Sequence, residues 1–201
     1  MDINQLIKIC NELGIKIVVS NGIVREDKGY YENYHQVEKK GDNWYYSIMN
    51  FEGRQEPELK DIKEFIDEKE AIKYYFIKIL YQFYFETIFP SNNPVFEINT
   101  IEGLKSYFKK LGIIEDYYSL NVIKPQSVLA EFIDNKIVVS YIDEKNQKKF
   151  ATIPLNLEDG IFEMFKLTYS LHLFKKVEKE FLQRKILTEK FNDNDIELFI
   201  K

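Results

Sequence analysis

The sequence predicts an α+β fold arranged as a tandem pseudo-repeat, each unit running helix, three or four antiparallel strands, helix. Three observations carry this. The stretches "INQLIKICNELGI" (3–15) and "IEGLKSYFKKLGI" (101–113) align without a gap, with Ile3/Ile101, Leu6/Leu104, Ile9/Tyr107 and Leu13/Leu111 in register. Further on, "IDEKEAI" (66–72) aligns with "LNLEDGI" (155–161), and the helices they open stay in step through Phe85 and Phe174. Between the two helices of each unit, β-rich runs alternate with turn residues. The offset falls from 98 residues at the first pair to 89 at the second, so the first unit is about nine residues longer between its helices.

Each element has a local reason. Apolar residues recurring every three or four positions put Leu6, Ile9, Cys10 and Leu13 on one helical face. Asp2 and Thr100 stand where an N-cap oxygen can accept an orphan N–H, and Gly14 and Gly112 stand where a helix ends in the left-handed conformation. "IKIVVSNGIVRE" reads as two short strands around an Asn21-Gly22 hairpin turn. "YHQVEKK", a "GDN" turn and "WYYSIMNF" follow, then a charged run through "EPELKDIKEF". In the second unit "SVLAEFI" and "KIVVSYI" flank an Asp134-Asn135 turn, and "KKFATIPL" follows. Asp67 and Asn156 each stand three residues before an acid, in the manner of a capping box.

The helix from Glu68 to about Phe89 is apolar nearly all round, which predicts a central, buried, aromatic helix. The last long helix, from Glu158 to about Leu187, is amphipathic, with Lys175, Lys176, Lys179 and Glu180 expected toward solvent. "PSNNP" (90–94) reads as a hinge between a first unit, 1–90, and a second, 95–201, packed as one body. Phe199 and Ile200 predict that the closing tail docks, and Trp44 is expected in the core.

Composition narrows the function. The 201 residues hold 28 basic and 33 acidic side chains, a net charge of −5, which disfavours binding to nucleic acid or anionic lipid. The run 71–89 is interrupted by Lys73, Lys78, Gln82 and Glu86, so no membrane span is expected. The first ten residues lack the basic-then-apolar pattern of a secretory leader, and a cytoplasmic location is expected. The single cysteine, Cys10, falls on an apolar face, as a buried and inert thiol would.

No catalytic, metal or cofactor pattern stands out. His35 and His172 are the only histidines, and neither has a partner at metal-ligand or dyad spacing. No serine elbow and no Gly-rich phosphate loop is present. The expectation is a chain without catalytic residues, metal or cofactor; an enzyme would need His35 or His172 beside a carboxylate in a deep cleft.

Two segments suggest binding surfaces. Between 52 and 70, eight acids including Glu52, Glu56, Glu58, Asp61 and Glu64 face four bases. An acidic patch of this kind steers a basic protein partner. "REDKGYYENY" (25–34) carries much of the first unit's extra length and presents Tyr30 and Tyr31 in a polar loop, where tyrosines often anchor interfaces.

In whole-chain character the sequence resembles the immunity proteins of bacterial toxin systems: small, acidic, aromatic-rich, cytoplasmic α+β proteins. That resemblance implies a non-catalytic module that binds and neutralises a cognate toxin by occlusion, working as a monomer. The helix–strands–helix plan also resembles secretion chaperones, which are commonly dimers and hold an effector segment along a sheet or groove.

Overall fold

A computed structural model describes residues 1–29, 31–52 and 56–201. The fold is α+β. Its elements run α1 (Ile3–Leu13), β1 (Ile17–Ser20), β2 (Ile23–Glu26), β3 (Tyr34–Lys40), β4 (Asn43–Asn50), β5 (Glu58–Phe65) and α2 (Glu68–Ile88). They continue with α3 (Ile101–Lys110), β6 (Tyr118–Leu120), β7 (Ser127–Ile133), β8 (Lys136–Ile142), β9 (Lys148–Ala151), α4 (Leu157–Gln183) and α5 (Asp193–Ile200). By internal packing the chain divides into two units, one comprising residues 1–83 and 181–190, the other 84–180 and 191–201.

Local chemistry accounts for the helix ends. Asp2 accepts from the Gln5 amide at 2.8 Å while the Gln5 side chain accepts from the Asp2 amide at 2.9 Å, closing a capping box on α1. Gly14 ends α1 with φ +76°, a conformation that a side chain would strain. Thr100 caps α3 through the Gly103 amide.

In the first unit five antiparallel strands lie in sequence order, β1 to β5. Asn21 and Gly22, both with positive φ, make the expected hairpin turn between β1 and β2. The charged run that ended the β region in sequence is itself the edge strand β5, paired with β4 from Trp44↔Phe65 to Asn50↔Glu58. A bulge opposite Ser47 falls at Asp61, whose φ is +52°. An edge strand needs hydrogen bonds on one side only and tolerates charge on both faces, which explains a strand without apolar alternation.

One face of this sheet carries Val24, Val37, Trp44 and Tyr46, all buried, and packs on α2, where the Tyr46 and Tyr74 rings meet edge-on at 4.8 Å. Over 71–80 the helix is buried nearly all round, through Ala71, Ile72, Tyr75, Phe76, Ile77, Ile79 and Leu80. Beyond that it surfaces: Phe83 and Phe85 are exposed.

The second unit holds four strands, β6-β7-β8-β9, with β6 parallel to β7 and the rest antiparallel. The two β regions therefore differ in strand number and in this parallel pair, where three or four antiparallel strands were expected in each. Helix α4 meets the sheet closely, since a Cβ on Gly160 would stand 2.7 Å from the Ile137 Cβ.

The tail docks as α5, with Ile196, Phe199 and Ile200 buried and Phe174 stacked 4.7 Å from Phe199. Asp193 staples it, accepting from the Tyr141 hydroxyl at 2.8 Å, the Glu144 amide at 3.1 Å and the Gln126 side chain at 3.3 Å. Lys175, expected in solvent, is buried instead. It pairs with the buried Glu178 one turn on at 3.1 Å, and Glu178 accepts from the Phe191 amide. The remaining cations, Lys176 and Lys179, are exposed.

Candidate protein-binding face

Alternation along the five strands divides their side chains between two faces. The helix-side face is filled by the core. The opposite face is an open groove of about 1090 Å³ which, among the described residues, is lined by strands and loops and by no helical residue. Strand register lays it out in rows: Tyr34, Met49 and Leu59 at one end, Val18, Arg25, Gln36 and Ser47 across the middle, and Ser20, Ile23, Glu38, Tyr45 and Glu64 at the other. Gln36 donates to the Ser47 hydroxyl at 3.2 Å, and both are buried in the floor.

The rim near Tyr34 is aromatic. Phe51 lies 6.1 Å from Tyr31, edge-on, and 6.0 Å from Tyr34. The Arg25 guanidinium sits 5.1 Å from the centre of the Tyr34 ring. Tyr31 is 70% exposed and has φ +70°. A non-glycine residue in that region costs on the order of 1 kcal/mol or more.

Of the residues singled out in sequence, the fold brings Tyr31 and Glu52 together. Asn33 accepts from the Phe51 amide at 2.8 Å and donates to the Glu52 carboxylate at 3.1 Å, clamping the two loops. Tyr30 lies outside the described residues, as do residues 53–55. Glu56 is exposed beside β5. Glu58, Asp61 and Glu64 follow along that strand but do not share one face. Glu58 pairs across to Asn50 on the helix side, Asp61 sits at the bulge, and Glu64 faces the groove opposite Tyr45. Glu64 accepts from the Tyr45 hydroxyl at 2.8 Å, which pushes that phenol's pKa up. The run is further diluted at its end. Asp67 accepts from the Glu70 amide and Glu70 pairs with Lys73, so these acids serve the start of α2.

Arg25 and Tyr34 bound the segment singled out in sequence but were not themselves named as anchors, and Phe51 lay outside it. The sequence signal is weak because β2 reads "IVRE", and its Glu26 points into the core while Arg25 points out. Glu26 is held there by the His35 amide at 2.8 Å and Lys28 at 3.5 Å.

Both histidines pack against tyrosine rings. His35 Nδ1 and the Tyr46 hydroxyl share a 2.6 Å hydrogen bond. Burial pushes the imidazole's pKa down, against the opposing pull of Glu26, and pushes the phenol's up, so both stay neutral. His172 lies near Tyr117 and Tyr169, its buried Nδ1 without a hydrogen-bond partner among the described residues, and burial lowers its pKa too. Neither lines the groove, nor either of two smaller openings near Lys124 and Gly14. Among the described residues no three His, Cys, Asp or Glu side chains gather to hold a metal ion. Among them, too, no helix is long and apolar enough to cross a membrane.

No family model, curated protein or solved structure matches this chain.

Proposed function

We propose that this chain is a non-catalytic protein-binding module acting as an immunity protein, which holds a cognate bacterial toxin and occludes its active site. One observation carries the reading: a sheet face of about 1090 Å³ left open by the helices and rimmed by Tyr31, Tyr34 and Phe51. Tyrosine and phenylalanine rings, here Tyr34 on β3 with Tyr31 and Phe51 on the adjoining loops, offer large contact area at low entropic cost, the pattern of interface anchors. Between 52 and 64, Glu52, Glu56, Glu58, Asp61 and Glu64 outnumber Arg54, Lys60 and Lys63, and Lys63 is turned inward 4.2 Å over the Tyr74 ring. That acidic edge speeds encounter with a basic partner surface, while the aromatic rim holds it.

The test is co-expression with the product of the adjacent gene in a host that this product harms. Protection together with an equimolar complex is expected. Tyr31→Ala should leave stability unchanged while weakening the complex by about 2 kcal/mol, roughly 30-fold in Kd. Absence of both complex and protection would sink the proposal. A chain that is a dimer and holds an extended effector segment without affecting its activity would favour the chaperone reading instead.

A further inference from the structure

We infer that the groove receives an extended, carboxylate-bearing segment of the partner protein, with one Asp or Glu side chain seated on Arg25 and an apolar neighbour against Tyr34. This rests on the reading of the face as a protein-binding surface and names the chemistry it selects.

Charge within the groove carries the inference. Among the described residues three cations line it. Lys28 is paired with Glu26 at 3.5 Å and Lys40 with Glu38 at 2.5 Å. Arg25 has no carboxylate partner among the described residues; its recorded contact is the Tyr34 ring, 5.1 Å away. Lying over that ring at the groove's edge, a guanidinium without a carboxylate partner can grip an incoming carboxylate with two parallel hydrogen bonds. Register places Val18 and Gln36 directly beside Arg25, so neither strand neighbour supplies a competing negative charge.

The surroundings select the carrier. A phosphate backbone calls for several free cations in a row, whereas among the described residues this groove has one, and Glu52 stands beside its rim. The volume reaches the upper end of that for small-ligand pockets and the groove is open, which suits an extended peptide lying across strands better than an enclosed metabolite. Attraction at the acidic edge and capture of a carboxylate inside are compatible, because they act on different parts of one partner.

The experiment titrates three probes into the isotope-labelled chain: a capped Thr-Val-Glu-Tyr-Val peptide, the same peptide with Gln for Glu, and a short oligothymidylate. The Arg25 Nε–H resonance and the dissociation constant are followed. The glutamate peptide should move that resonance and bind about tenfold more tightly than its glutamine counterpart, the range of a hydrogen bond to a charged group. Arg25→Gln should abolish the preference while leaving the melting temperature in place. Equal binding of the two peptides, no binding, shifts that spare Arg25, or tighter binding of the oligonucleotide would each overturn the inference. A chain that protects cells yet shows no glutamate preference retains the proposed function and loses this one, while the reverse outcome does the opposite.

Discussion

Replacing Gly160 by alanine adds one methyl group at the point where α4 crosses β8. That methyl would stand 2.7 Å from the Ile137 Cβ, 2.9 Å from its Cδ1 and 3.1 Å from its Cγ1. Relaxed carbon contacts are about 3.5–4.0 Å, so the surfaces must part by roughly 1 Å. Rotation of Ile137 can relieve the δ and γ carbons but not the β carbon. The backbone there is fixed, since Ile137 exchanges hydrogen bonds with Leu155 at 2.9 and 2.8 Å and pairs with Phe132 in β7. Overpacking of this kind costs about 1–3 kcal/mol. Helix propensity returns about 1 kcal/mol, because alanine loses less backbone freedom than glycine. A net destabilisation of up to about 2 kcal/mol is expected. Urea denaturation followed by circular dichroism reads it as a lower midpoint at constant slope. A variant stabilised by about 1 kcal/mol, as an unobstructed helix site would be, refutes the close approach and the reason given for glycine at this position.

Three other outcomes follow from the same geometry. Asp193→Ala removes the acceptor of a buried phenol and two further donors, and should cost about 2–4 kcal/mol, with the amides of α5 losing hydrogen-exchange protection; unchanged protection would mean that Asp193 does not hold the tail. His35 and His172 are both held neutral, their folded pKa values below the ordinary 6.5, so below that pH the unfolded chain takes up more protons than the folded one. Stability should therefore be full above about pH 6.5 and fall as pH drops through and below it, by at most about 1.4 kcal/mol per pH unit for each histidine. His172→Leu should flatten the curve, and an unchanged curve removes His172 as a cause. Burial, aided by Glu26, pushes the Cys10 thiol up to about 12, so a thiol reagent at pH 8 should label the native chain only as fast as it unfolds, with one equivalent released by urea. Rapid stoichiometric labelling would contradict that burial.

Much of the fold was legible where the cause is local. Asp2, Thr100, Gly14 and Gly112 end their helices as their side chains, or lack of them, require. The Asn21-Gly22 and Asp134-Asn135 turns adopt positive φ, and Cys10, Trp44 and Phe199 are buried. The misreadings were non-local. Lys175 looked solvent-facing from helical spacing, but Glu178 and Gln126 supply the partners that let a cation be buried. The β5 strand has no apolar alternation because its pairing, not its pattern, holds it in the sheet.

The candidate face shows the same division. Sequence alone determined that Tyr31 stands in a polar loop and that acids cluster after residue 51, both being statements about neighbours along the chain. Only tertiary structure decided that Arg25, Tyr34 and Phe51 meet, and that the acids are parcelled between the two faces of an edge strand and the start of a helix. The reason lies in pairing register. Hydrogen bonds between strands, rather than the order of residues, set which side chains stand in one row, and a slip of one residue would carry every one of them to the other face.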